Sequence, residues 1–229
     1  MSKRLLKRIS LIIVLAILVY GGLLIFDIYQ FDKGTKEDTQ KFSAYFNETE
    51  IQNGDIIFQT SKSSQSKAIQ LATNSKYSHM GIVYRIKGEL FVYEAVQPVK
   101  LTKFKDWINR GKNGHYVIKR LVNSDKILTQ ETLSKMKRVG EKFKGKNYDL
   151  YFEWSDDKIY CSELVWKIYK DGAGIEIGKL EKLSDFNLQN KIVQQKMKER
   201  YGKNIPMNEI VISPVKMFNS DKLKTVLKN

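Results

Sequence analysis

Residues 9–26, ISLIIVLAILVYGGLLIF, form an 18-residue run without a formal charge. As a helix rising ~1.5 Å per residue, such a run nearly spans a ~30 Å hydrocarbon core. Lys3, Arg4, Lys7 and Arg8 precede it, and a basic flank of this kind stays on the cytoplasmic side. The competing reading is a cleaved signal peptide, whose apolar stretch is usually about 7–15 residues and ends in an A-x-A-like site. No such site follows Tyr20-Gly21-Gly22, and no cysteine is present there for lipid attachment. The run therefore reads as an uncleaved anchor. It divides the chain into a basic tip and transmembrane segment (1–29), a polar juxtamembrane linker (30–47) and one domain (48–229) placed outside the cytoplasm.

Charge bounds the partners. With 40 Lys+Arg against 25 Asp+Glu the chain carries +15, which suits a membrane surface or anionic envelope polymers. No nucleic-acid motif accompanies the charge, so no nucleic-acid partner is expected. A single cysteine allows no internal disulfide; the core must hold by packing.

The domain alternates between two periodicities. Strands are expected at Asp55–Gln59, Ser78–Ile86, Leu90–Val96 and Tyr116–Arg120, with Ile210–Ile212 as a last one. Helices are expected over Gln65–Thr73 capped by Ser63 or Ser64, over Phe104–Asn109, over Glu131–Phe143, and from Cys161 to a stop at Asp171-Gly172. A long helix from Ser184 to Tyr201 turns Leu188, Ile192, Val193 and Met197 inward, and a terminal helix starts at Ser213-Pro214. Strands grouped apart from helices indicate an α+β fold.

Cys161, the only cysteine, falls at the start of a helix, where unpaired N–H groups and the helix dipole favour thiolate over thiol. A buried hydrophobic role is the ordinary alternative for a lone cysteine. Two histidines could serve as base. His79 opens a strand, whereas His115 leaves a basic loop, so His79 is the better held. Glu94 interrupts an otherwise apolar strand (FVYEAV), where a carboxylate is costly unless paired. If the hairpin turns at Lys87-Gly88, Ile86 faces Glu89 and Gly81 faces Glu94. His79 and Glu94 then share one face as diagonal neighbours, about 7–8 Å apart between backbones. A three-residue loop would break that parity. The expected arrangement is orienter, base and nucleophile. One Cys and two separated His lack a zinc-ligand spacing, so neither metal nor cofactor is expected.

The ordered segments Gly54-Asp55-Ile56-Ile57-Phe58, Ser75–Val83, Tyr93-Glu94-Ala95, Tyr148-Asp149 and Tyr160-Cys161-Ser162-Glu163-Leu164-Val165, with a weaker echo at Ile212-Ser213-Pro214, carry a resemblance. The chain resembles the YiiX/YebB-like group of circularly permuted, papain-like cysteine hydrolases in the NlpC superfamily. The resemblance implies a small antiparallel sheet packed on the helix that bears the nucleophile. It also implies Cys161 as nucleophile, His79 as base and Glu94 as the third, polar member; His115 matches no catalytic position. Tyr160, Tyr148 and Trp154 are candidates to line the substrate site. The activity implied is that of an amidase or endopeptidase on peptide-like, cell-wall-type substrates. The alternatives are a lipid-directed hydrolase, thioesterase or acyltransferase acting on lipid-linked amides or esters, and a non-catalytic binding module. A wide polar groove would favour peptides, a deep apolar tunnel acyl chains.

Overall fold

The computed structural model describes residues 25, 26, 29, 30, 32, 33 and 48–229. The proposed anchor over 9–26 lies outside the described residues except for Ile25 and Phe26. So does most of the linker. Among the described residues no helix is long and apolar enough to cross a membrane. The chain separates at Glu50/Ile51 into two compact units, and the second of these carries the fold and the site.

That unit begins with β1 (Ile56–Ser61) and α1 (Ser66–Thr73), followed by β2 (His79–Ile86), β3 (Glu89–Glu94) and β4 (Lys100–Lys103). Next come α2 (Phe104–Asn109), β5 (Gly111–Leu121), α3 (Ser124–Ile127) and α4 (Gln130–Glu141). The short β6 (Asn147–Tyr148) and β7 (Lys158–Ile159) lead into α5 (Cys161–Ala173). The chain closes with β8 (Glu181–Lys182), α6 (Lys191–Tyr201), β9 (Ile210–Val211), α7 (Pro214–Phe218) and β10 (Leu223–Lys228).

Six strands form one antiparallel sheet in the order β10-β5-β1-β2-β3-β4. Successive strand residues face opposite sides, and both sides are used. Ile56, Phe58, Met80 and Ile82 pack with Met136 of α4 and Leu164, Val165 and Ile168 of α5. Ile57, Val83, Val92 and Ile118 pack with Phe104 and Trp107 of α2. The residues of β1 thus alternate between two apolar layers, which is why its run IIF carries no polar break. Asp55, buried just before β1, is held by two hydrogen bonds from Arg120 at 2.7 and 2.8 Å.

The β2–β3 hairpin turns at Lys87-Gly88, with φ of 49° and 86°. Two successive residues in this region make the tight turn whose twist matches the strands, and glycine meets its second position without strain. The register pairs Ile86 with Glu89 and Ile82 with Tyr93; one step further brings Gly81 opposite Glu94, the parity the sequence predicts.

Several elements depart from sequence expectation. The helix bearing Cys161 does not stop at Asp171-Gly172 but continues to Gly174, whose φ of 71° ends it. Gly172 lies inside the helix because α4 crosses there: a Cβ at this position would stand 2.6 Å from the Met136 Cα. The helix expected from Ser184 begins only at Lys191, capped by Asn190. The intervening chain makes a single 3-10 turn, Leu183–Asp185. Val193 and Met197 are buried, while Ile192 is exposed. Neither Ser63 nor Ser64 caps α1; Gln65 occupies that position without a side-chain cap. After Pro214 the helix lasts five residues, and the chain then supplies β10, an edge strand not expected from sequence.

Candidate active site

Three loci converge where strands end and a helix begins. Cys161 is the first residue of α5 and is 2% exposed. The preceding segment is pinned from both sides. Tyr160 Oη accepts from the Ile212 N–H at 3.0 Å, and Ser162 Oγ donates to the Ile212 carbonyl at 2.7 Å. The Glu163 carboxylate, fully buried, accepts from the Tyr160 N–H at 3.4 Å and pairs with Lys167 at 2.8 Å. These contacts fix the first turn, whose N–H groups have no partner within the helix.

His79 is the first residue of β2, so its ring stands at the strand end facing that turn. Its Nε2 meets Glu94 Oε2 at 2.6 Å, and the ring stacks on Trp107 with centroids 5.9 Å apart. Glu94 is completely buried; its second oxygen accepts from Thr102 Oγ1 at 2.5 Å and from Arg110 Nη2. A buried carboxylate needs such partners to stay ionised. Burial alone would raise the Glu94 pKa, but the His79 hydrogen bond and charge, helped by Arg110 and Thr102, hold it below its ordinary value.

The same balance shapes the thiol. Burial pulls His79 down, but hydrogen bonds and charge from Cys161 and Glu94 outweigh it and raise its pKa to about 9. Burial pushes Cys161 up; the hydrogen bond and charge of His79, a hydrogen bond from Tyr148 and the Met80 backbone N–H bring it below the usual thiol value. Each group thus favours the charged form of the other, thiolate beside imidazolium, the activated pair of a thiol nucleophile.

Tyr148 is the third locus. β6 pairs in parallel with β7, setting Tyr148 beside Ile159, two residues before Cys161. Asp149, also buried, closes the following turn by accepting from the N–H groups of Tyr151 and Glu153 at 2.8 and 2.6 Å. Burial and the nearby Cys161 charge keep the phenol protonated. Its hydroxyl accepts from Gln65 Nε2 at 3.0 Å, and Gln65 Oε1 accepts from Arg200 at 2.8 Å. Arg200 can only donate, so it orients the amide; the Gln65 amino group then occupies the phenol's lone pair, and the phenolic proton points toward the sulfur.

Two cavities meet at this point. The first has Cys161 in its wall and is otherwise lined chiefly by apolar side chains, among them Ala68, Ile69, Phe152, Val193 and Met197. The second has His79 in its wall with Gln59, Ser78, Lys62 and Arg110. Only Gln65 and Tyr148 line both.

The expected residues are thus distributed unevenly. Cys161, His79, Glu94 and Tyr148 come together, and Tyr160 lines the apolar cavity. Trp154 lines neither cavity: it packs edge-on against Trp166, centroids 5.3 Å apart, beneath the ammonium of Lys167. His115 lies elsewhere, its Nδ1 3.3 Å from the Asn229 carbonyl. Sequence reasoning missed Gln65, Thr102, Arg110 and Arg200. Thr102 sits on an unanticipated strand, and the others act through side-chain contacts between distant segments.

A sheet-end histidine upstream of a helix-start cysteine, with a carboxylate behind the histidine, defines a permuted papain-like thiol hydrolase. The chain belongs to that class: the family described as permuted papain-like amidase, YaeF/YiiX, C92, matches residues 50–227, and the protein is a cysteine hydrolase of amidase or peptidase type. It is 49% identical over 177 residues to the uncharacterized protein YiiX of Escherichia coli K12, covering 77% of this chain and 86% of that one. A crystal structure from E. coli O157:H7, described as the metalloprotein YiiX, superposes with a TM-score of 0.75 at 49% identity, covering 79% of this chain and 98% of the other.

The donors present here do not fit a resident metal. Among the described residues no group of three or more His, Cys, Asp or Glu side chains stands together to hold an ion. With Nε2 of His79 committed to Glu94, the site offers one ring nitrogen and one sulfur, short of the three protein ligands typical of a catalytic zinc.

Proposed function

We propose that the protein hydrolyses amide bonds of acylated substrates through a Cys161 thioester, with the aliphatic acyl group held in the apolar cavity. The observation that carries this reading is the sulfur's place in the wall of a cavity lined chiefly by apolar side chains, the character usual in small-molecule pockets. Cell-wall peptides, the other substrate class considered from sequence, would place polar backbone against Ile69, Val193 and Met197, leaving its donors and acceptors unpaired.

In the reaction, the Cys161 thiolate attacks the carbonyl carbon. The Tyr148 hydroxyl and the Cys161 N–H donate to the developing oxyanion. His79 gives its proton to the leaving nitrogen as the C–N bond breaks. Water, deprotonated by His79, then cleaves the thioester and restores the pair. Glu94 keeps the imidazole in place and favours its protonated form. The same steps with an alcohol leaving group would open an ester. The apolar run at 9–26 supports placing this chemistry at a membrane, the source of acylated molecules.

The test is a chain-length series. Full-length protein in detergent micelles is assayed on amides of one fluorogenic amine with acyl chains of two to sixteen carbons. Burial of ~0.8 kcal/mol per methylene predicts a rise in kcat/KM of about fourfold per carbon until the cavity fills, and Met197→Trp should shorten the optimum. Intact mass should show the acyl group on Cys161. A flat series, or faster cleavage of acetylated peptides, would overturn the reading.

A further inference from the structure

We infer that the leaving half of the substrate carries an anionic group, carboxylate or phosphate, received by Lys62 and Arg110 in the groove that His79 lines. This rests on the hydrolase reading above, because the chemistry assigns the two cavities to opposite sides of the scissile bond. The acyl carbon bonds to Cys161, which lines only the apolar cavity; the leaving nitrogen takes its proton from His79, which lines only the groove. The carbonyl lies at the shared wall formed by Gln65 and Tyr148.

The groove's charge is one-sided. Among the described residues its walls contain Lys62 and Arg110 but no Asp or Glu. The two cations are held together by backbone: the Lys62 N–H donates to the Arg110 carbonyl at 3.2 Å, and Lys62 Nζ donates to the Asn109 carbonyl at 3.1 Å. This joins the end of β1 to the start of β5. Arg110 gives its Nη2 to Glu94, and its side chain remains 43% exposed in the groove wall. Lys62 forms an ion pair with no carboxylate among the described residues, unlike Lys135, Lys144, Lys170 and Lys196, each paired with a nearby Glu. Ser61, Ser63 and Ser64 on the same wall add hydroxyl donors. Two cations and several hydroxyls around a space with no acidic residue complement a carboxylate or phosphate, and a cationic leaving group would meet like charge.

Binding tests this separately from turnover. Full-length Cys161→Ala protein in zwitterionic nanodiscs is titrated calorimetrically with octanoyl amides of glycine, O-phosphoethanolamine, ethanolamine and ethylenediamine. A fifth ligand, the ethanolamide bearing a carboxylate at the far end of its acyl chain, reports a general attraction for anions. The glycine and phosphoethanolamine amides should bind about tenfold or more tighter than the ethanolamide, as expected for a charge-assisted hydrogen bond, and the ethylenediamine amide weakest. The fifth ligand should gain nothing. Lys62→Gln should bring the anionic preference close to unity. Gain by the phosphate amide alone would assign the site to a phosphorylated leaving group; equal gain would assign it to either anion. Equal affinities throughout, or a preference that survives Lys62→Gln, would overturn the inference. Turnover of the same amides by the Cys161 protein reads the hydrolase proposal independently: anion-selective binding without cleavage would sink that proposal and leave Lys62 and Arg110 as an anion-binding site alone, whereas cleavage without anion-selective binding would sink only the present inference.

Discussion

Replacing Glu94 by glutamine removes one charge from the buried relay while preserving its shape. Glu94 is fully buried and meets His79 Nε2 at 2.6 Å, so the carboxylate contributes a charge-assisted hydrogen bond of ~1.5–3 kcal/mol. At 1.36 kcal/mol per pKa unit, its loss should lower His79 from about 9 to about 7–8. The variant should fold: Arg110 is 43% exposed and can return its charge to water, and the amide oxygen still accepts from Thr102. The chain contains only two histidines, so each Cε1–H resonance can be followed in the labelled full-length protein, with His115 as an internal comparison. The alkaline limb of kcat/KM should move down with the His79 titration. The stability profile should move as well. The folded pKa of His79 is raised above its ordinary 6.5, so the stability it contributes is fully present below pH ~6.5 and lost as pH rises through about 9. In E94Q that loss should be smaller and finish near pH 7–8, measured as Tm between pH 5 and 10. A His79 titration that stays near 9 in E94Q would refute the argument that the carboxylate sets the imidazole's basicity.

Tyr148→Phe should lower kcat by about 10²–10³, the usual cost of one oxyanion donor, with KM little changed; an equal rise in KM would instead mark Tyr148 as a simple binding residue. Gly172→Ala should destabilise the domain by about 1–3 kcal/mol through overpacking, since the new Cβ would meet Met136 at 2.6 Å. Urea denaturation measures this, and an unchanged midpoint would show that α4 and α5 can separate at no cost.

Much of the site is legible in the sequence because its geometry is set locally. The two-residue turn at Lys87-Gly88 fixes the hairpin register, and the register fixes which face Glu94 takes; nothing distant is needed. Cys161 is equally readable, since helix starts carry local signals. What escapes is set by contacts between remote segments. Gly172 looks like a helix stop, yet the crossing of α4 requires it. The segment LKTVLK at 223–228 has strand alternation too short to stand out, and becomes β10 only because β5 offers it a free edge. Arg200 and Gln65 lie 135 positions apart, and no periodicity links them. The membrane anchor rests on hydropathy of residues outside the described set.

The burial of Cys161 has a consequence for redox chemistry. Thiolates are the oxidisable form of cysteine, and their damage scales with exposure as well as charge. This sulfur, whose thiolate form His79 favours, is 2% exposed in a chain with no second cysteine to form an internal disulfide. Its protection against peroxide or disulfide reagents is therefore one of access: the cavities that admit substrate are also the routes by which an oxidant reaches the sulfur. A ligand occupying the apolar cavity would close one of them and so shield the nucleophile.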